Sequence, residues 1–257
     1  MMRFTLLGTG TSTGVPSVGC LCATCTSTNP RDKRLRPSLL VQSPTTTVVI
    51  DTSSDFRQQM LTHRVLDIDA LVFTHHHFDH IGGFDDIRPY NFHNNKDMPV
   101  YALERTFTAL RSTFPYAFEE PEQLGGGVPQ VVITVIDSEP FTIGDIEFIP
   151  IPMMHGKLRV NGYRIGSFAY CTDTNFIPDE SFVLLEGVDT LVLDCLRYHE
   201  HETHFTVEQA VAAATRIGAR QTYFTHIAHQ IQHDKLNAEL PDHIRVGYDG
   251  LLIETES

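Results

Sequence analysis

The stretch Leu71-Val72-Phe73-Thr74-His75-His76-His77-Phe78-Asp79-His80-Ile81-Gly82-Gly83 gathers imidazoles and a carboxylate at short spacing. Residues 71–74 form a short apolar run of the kind that makes a buried strand, and the glycine pair marks an exit. His75, His77, Asp79 and His80 therefore belong to the loop that leaves a strand. Side chains two apart share a direction there, and the following turn swings the next pair round, which suits a shell of nitrogen and oxygen donors about metal ions. An exposed histidine cluster without a ligand role is the weaker reading, because a packed core has no use for these titratable groups and desolvating them is costly.

A second cluster is Cys20-Leu21-Cys22-Ala23-Thr24-Cys25, preceded by Gly19. C-x-C-x-x-C brings three thiolates within reach of one ion; soft sulfur donors favour tetrahedral Zn²⁺, with a fourth ligand from elsewhere. Four protein ligands would leave no open position, so this ion is expected to be structural. Other candidates are scattered. His155 follows a strand. Asp173 follows another, as a helix cap or as a ligand. His199, His201 and His204 crowd a loop ahead of a helix, and His226 and His229 stand in an H-x-x-H pair. Arg88 follows an acidic pair, where an anionic substrate contact and an ion pair with Asp85 or Asp86 are both open.

These groups need rigid elements to hold them. Strands are expected over 4–7, 38–42, 46–50, 68–74, 100–103, 131–136, 146–151, 162–165, 167–171, 191–194 and 221–225, with helices over 55–63, 105–114, 207–217 and 234–239. Thr206, with Glu208 and Gln209 behind it, opens the 207–217 helix. Residues 115–127 are expected to form a lid or edge loop. Residues 245–254 are expected to close the chain as a hairpin. Each half has several strands, then a helix and a histidine loop, which suits two sheets with helices outside.

Composition fits a soluble globular chain of 257 residues, 41% hydrophobic and 20% charged. Lys and Arg number 19 against 32 Asp and Glu, a formal charge of −13, so a stable nucleic-acid partner is not expected. A small phosphate substrate remains open, since bound metal makes a site locally positive. No run approaches a membrane span. The first residues are too short and glycine-rich for a signal peptide, so a cytoplasmic location is expected. Five cysteines at uneven spacing do not suggest a disulfide framework.

The pattern H-x-H-x-D-H resembles the signature of the metallo-β-lactamase superfamily. The Gly8-Thr9-Gly10 start, the C-x-C-x-x-C cluster, Asp85-Asp86-Ile87-Arg88-Pro89 after the histidine loop and the Tyr248-Asp249-Gly250 end are similar to the PhnP-like phosphodiesterases. The resemblance covers nearly the whole chain. It implies a single α/β domain over 1–257, an αββα sandwich of two mixed sheets flanked by helices. It also implies two Zn or Mn ions in the active site: His75, His77 and His155 on one, Asp79, His80 and His226 on the other, with Asp173 bridging. A hydroxide between them would be the nucleophile. His229 would join Cys20, Cys22 and Cys25 around a structural Zn. His204 would aid catalysis together with Asp79, with His201 as the alternative to His204. The implied activity is hydrolysis of a small cyclic or nucleotide-like phosphodiester. A tRNA 3′-processing nuclease, a thioester or lactam hydrolase and a non-enzymatic zinc scaffold are the competing readings. A homodimer would follow superfamily habit.

Overall fold

The computed structural model describes residues 1–119 and 127–255. Of the expected 115–127 loop, residues 120–126 therefore lie outside the described residues. The first half of the chain runs through β1 (Met2–Gly8), β2 (Ser38–Gln42), β3 (Thr47–Ile50), α1 (Phe56–His63), β4 (Ala70–Val72), α2 (Phe78–Ile81), α3 (Arg88–Asn94), β5 (Met98–Ala102), α4 (Glu104–Thr113) and β6 (Val131–Val135). The second half runs through β7 (Phe141–Ile143), β8 (Ile146–His155), β9 (Leu158–Ile165), β10 (Phe168–Cys171), α5 (Asp179–Leu184), β11 (Thr190–Asp194), α6 (Val207–Ile217), β12 (Gln221–Thr225), α7 (His233–Glu239), β13 (Ile244–Val246) and β14 (Leu252–Thr255).

Among the described residues the strands build two seven-stranded sheets, ordered β14-β1-β2-β3-β4-β5-β6 and β13-β12-β11-β10-β9-β8-β7. In the first sheet the pairings from β14 to β3 are antiparallel and those from β3 to β6 parallel. The second repeats this pattern: antiparallel from β7 to β10, parallel from β10 to β13. Both sheets are thus mixed, as expected. The same run of antiparallel and then parallel pairings thus recurs in the two sheets.

Alternation along each strand makes the layers. Phe4, Leu6, Val48, Ile50, Ala70 and Val72 face the second sheet, where Tyr163, Phe168, Tyr170 and Val192 meet them. Leu7, Val49, Leu71 and Phe73 point outward under Phe56 and Met60 of α1, Tyr90 of α3 and Phe107 and Leu110 of α4. On the far side, Leu191, Leu193 and Phe224 pack under Ala210 and Ala214 of α6 and Leu236 of α7. Strands covered on both faces read as continuous apolar runs, as β4 and β11 do. The Phe4 and Phe168 rings stack across the central layer at 3.8 Å and 10°. Phe4→Ala is expected to cost about 3–5 kcal/mol of unfolding free energy, measured by denaturant titration of the metal-loaded protein.

Helix α6 carries a full capping box between Thr206 and Gln209 and ends at Gly218, in the left-handed region with φ 73°. Two expectations are corrected. The chain does not end in a hairpin: β13 lies parallel to β12 in one sheet and β14 antiparallel to β1 in the other. His155 is not in a loop but is the last residue of β8, paired with Leu158. Helix α5 had no strong signal of its own.

Candidate active site

The site lies at one rim of the sandwich, where the carboxyl ends of the parallel strands β3, β4, β10, β11 and β12 meet the end of β8. This is where open α/β sheets place ligands. Strand β4 releases the histidine loop. His77 sits in extended backbone ahead of α2, so the helical turn carries Asp79 and His80 back toward His75. Strand β10 delivers Asp173 at φ 56° and β12 delivers His226 at φ 60°. Non-glycine residues in the left-handed region are uncommon, and surrounding structure must hold them there. Ile227 does so for His226: its amide donates to the Thr9 carbonyl at 2.9 Å and its carbonyl accepts from the Thr11 amide at 3.1 Å. The glycine-rich loop after β1 is thus a buttress of the site.

Two donor sets overlap at Asp173, and Asp194, His204 and His226 make a further set beside them. His75, His77, His155 and Asp173 offer ligand atoms all within 4.8 Å of one another, and so do Asp79, His80, Asp173 and His226. Asp173 belongs to both. Its Oδ2 stands 3.8 Å from His75 Nε2, 3.2 Å from His80 Nε2 and 3.3 Å from His226 Nε2. His80 Nε2 and both ring nitrogens of His226 are buried with no hydrogen-bond partner. Buried polar atoms normally find partners, so these orphans aimed at carboxylates fit a cation. The charge balance agrees. Burial pushes against the ionised forms of Asp79 and Asp173, but the surrounding imidazoles hold both well below the usual carboxylate range. Burial likewise opposes charge on His80, yet Asp173, Asp51 and Asp79 draw it up. The nitrogen and oxygen donors suit Zn²⁺ or Mn²⁺.

A surrounding layer fixes the rings. His80 Nδ1 donates to Asp51 Oδ2 at 2.7 Å. The Thr74 amide and hydroxyl donate to the same carboxylate at 2.9 and 2.8 Å. His155 Nδ1 donates to the Thr203 carbonyl at 2.7 Å. Such contacts set the tautomer that leaves the other nitrogen free for metal. Asp51→Asn keeps the shape but places an amide where His80 needs an acceptor, and is expected to weaken metal affinity about 10- to 100-fold, read by competition with a chelating dye.

His204 sits beside both sets, its ring stacked on His226 at 4.4 Å and edge-on to His155 at 4.5 Å. Its Nδ1 donates to Asp194 Oδ2 at 2.7 Å. Burial disfavours the imidazolium, but Asp194 prevails and raises His204 to about 9. The ring is therefore a proton carrier with Nε2 free. His201 is exposed, with its ring 5.2 Å from that of His204. Arg88 is already engaged: it pairs with Asp85 and donates to the Gly127 carbonyl at 2.9 Å. Asp51 and Asp194 escaped the sequence reading. Their only signal was an aspartate closing an apolar strand, the signal that did single out Asp173.

Away from this rim, Cys20 Sγ and Cys22 Sγ lie 3.3 and 3.4 Å from His229 Nδ1. With Cys25 they form a set within 4.8 Å. Zinc bonds of roughly 2.3 Å to sulfur and 2.0 Å to nitrogen fit ligands about this far apart. The Cys25 amide first, then His229, draw the Cys22 thiol down to about 6, toward the thiolate a metal needs.

Two mixed sheets between helix layers, with a histidine- and aspartate-rich cleft at their common rim, define an αββα sandwich with a candidate metal centre. The chain belongs to the β-lactamase superfamily, whose domain model matches residues 46–227, and is PhnP-like within it. A solved diphosphatase of the PhnP family is 43% identical with a TM-score of 0.93, over 100% of this chain and 98% of that one. A Porphyromonas gingivalis protein named octanoyltransferase is 39% identical over 254 residues, covering 97% of this chain and 51% of that protein. The chain thus spans about half the length of that curated relative. Human tRNase Z, short form, shares the fold at 14% identity and a TM-score of 0.70, over 98% of each chain. Among the described residues, no helix is long and apolar enough to cross a membrane.

Proposed function

We propose that the protein is a dinuclear metal-dependent phosphodiesterase acting on a small phosphodiester, with nucleotide-like and diphosphate-bridged esters as the favoured class. The observation that carries this is Asp173 Oδ2, one carboxylate oxygen within 3.8 Å of imidazole nitrogens from both donor sets. That arrangement suits a pair of ions sharing a ligand. His75, His77 and His155 would hold one ion, Asp79, His80 and His226 the other, and Asp173 would bridge them. Ions bound there would supply positive charge against the phosphoryl oxygens and acidify the attacking water.

The remaining work falls to the chain. Asp194 fixes the His204 tautomer, so that Nε2 faces the cleft and gives its proton to the departing alkoxide. In its charged form His204 also steadies the developing negative charge. Asp51 and the Thr203 carbonyl keep His80 and His155 in register. Cys20, Cys22, Cys25 and His229 would hold a third, structural zinc, which ties the loop bearing His226 to the rest of the fold. The diphosphatase of the PhnP family supports the diphosphate class.

A second reading, hydrolysis of a thioester, is favoured by the match to the protein named octanoyltransferase. One experiment separates the two. Purified protein is assayed on bis(p-nitrophenyl) phosphate and on an octanoyl thioester, with metal content measured on the same sample. Turnover of the phosphodiester that disappears on chelation and returns with Zn²⁺ or Mn²⁺ is the expected result. Turnover of the thioester alone on a fully loaded site overturns it in favour of acyl chemistry.

A further inference from the structure

Resting on the phosphodiesterase reading, we propose that Arg105 and Arg159 line an anion pocket beside the His75–His77–His155 cluster, which receives a second phosphoryl group and so selects diphosphate-bridged esters over simple phosphodiesters. The pocket lies along the same rim. Strand β5 is the parallel neighbour of β4, Val72 pairing with Tyr101, and the Phe73 amide donates to the Tyr101 carbonyl at 2.9 Å. Where β4 runs on into His75 and His77, β5 runs on into Leu103, Glu104 and Arg105. Strand β6 lies next, the Ile136 amide donating to the Ala102 carbonyl at 3.0 Å. Adjacent strands are about 4.8 Å apart, so these residues open one to two strand spacings from the histidine loop. From the opposite sheet, Arg159 pairs with Met154, the residue before His155. The Asn161 amide, donating to the Thr74 carbonyl at 3.1 Å, binds that strand to the start of the histidine loop.

Between them is a cavity of about 370 Å³, lined by Leu103, Glu104, Arg105, Val135, Asp137 and Arg159 among others. Its lining holds two arginines and two carboxylates, and both carboxylates are engaged. Glu104 turns toward Arg111 at 3.4 Å. Asp137 and Ser138 occupy Arg159 Nη2 at 2.6 and 2.8 Å, but Arg159 Nε is buried and bonded to nothing. Arg105 has no hydrogen bond or ion pair among the described residues. With Glu104 turned to Arg111 outside the lining and Asp137 to Arg159, Arg105 is left without a counter-charge among the described residues, in a protein whose formal charge is −13. A guanidinium with no partner among the described residues, lining one cavity with a second arginine, matches the planar, multidentate way arginine holds phosphoryl oxygens. Arg88 is not available for this, being tied to Asp85 and Gly127.

The test uses the metal-loaded protein and two simple anions. Binding of inorganic pyrophosphate and of inorganic phosphate is measured by calorimetry, and turnover is measured on diadenosine diphosphate and bis(p-nitrophenyl) phosphate. Arg105 is exposed in the first turn of α4, so Arg105→Ala should fold normally, alanine being the best helix former. The expected result is a loss of about tenfold in pyrophosphate affinity, with phosphate binding unchanged. KM for diadenosine diphosphate rises in step, KM for bis(p-nitrophenyl) phosphate does not, and Arg105→Lys recovers part of the loss. Arg159→Gln, which can still donate to Asp137, should show the same selectivity. Equal effects on both anions, or none on either, overturn the pocket. If wild-type protein hydrolyses neither ester, the phosphodiesterase reading fails, while the Arg105 dependence of pyrophosphate over phosphate still decides the pocket. If both esters are hydrolysed and that dependence is missing, the pocket alone fails.

Discussion

His204→Ala is expected to lower kcat for an alkyl phosphodiester by about 10²- to 10⁴-fold, the usual contribution of a positioned general acid, with the metal content unchanged. His204 is buried, stacked on His226 and shares a possible donor set with His226 and Asp194, but its Nδ1 is committed to Asp194 at 2.7 Å and it belongs to neither set that meets at Asp173. Raised to about 9, by Asp194 against the opposing effect of burial, it carries a proton at neutral pH. Such an acid matters most when the leaving group is a poor one. The loss should therefore be much smaller on bis(p-nitrophenyl) phosphate, whose leaving phenolate needs little protonation, than on an alkyl ester. Asp194→Asn should reproduce the effect in part, by releasing the tautomer. The measurement is kcat for both esters beside metal analysis of the same preparations. Equal losses on the two esters would remove the acid role; a fall in bound metal would make His204 a ligand.

Asp173→Asn should act by the other route. Asparagine tolerates the left-handed backbone that Asp173 adopts at φ 56°, so the change tests charge with little backbone strain. One oxygen and the negative charge are lost where both donor sets meet. Breaking a buried ionic contact by removing one partner costs about 3–5 kcal/mol, or roughly two to four decades of affinity. The expected outcome is protein that folds and keeps the zinc held by the cysteines, but loses ions from the rim and has almost no turnover. Metal analysis distinguishes the sites, since one ion per chain should survive. Retention of the full metal complement with normal kcat would remove the bridging role of Asp173.

The clusters legible in the sequence were those whose chemistry is local. His75, His77, Asp79 and His80 lie on one strand exit and the first turn after it, so spacing alone brings them together. Cys20, Cys22 and Cys25 close on themselves in the same way, and the Thr206–Gln209 capping box follows from a four-residue pattern. The assignment of His155, Asp173, His204, His226 and His229 came from resemblance rather than spacing. What that resemblance and the residues left unseen was the support: Asp51 holding His80, Asp194 holding His204, and the carbonyl of Thr203 holding His155.

The physical reason is the same in each case. An apolar run with a polar end announces a strand and its exit, and the sequence by itself determined that much, together with the two local clusters of candidate metal ligands. Nothing in the run says which strand will lie beside it, because both faces are buried and the alternation carries no partner code. Only the tertiary structure decided that β13 and β14 part company into different sheets. It alone turned Arg88 toward Asp85, and set Arg105 and Arg159 around one cavity from opposite layers. Pairing between strands far apart in the chain is settled by register and by packing across the central layer, where contacts such as Phe4 on Phe168 become favourable only once both sheets are in place.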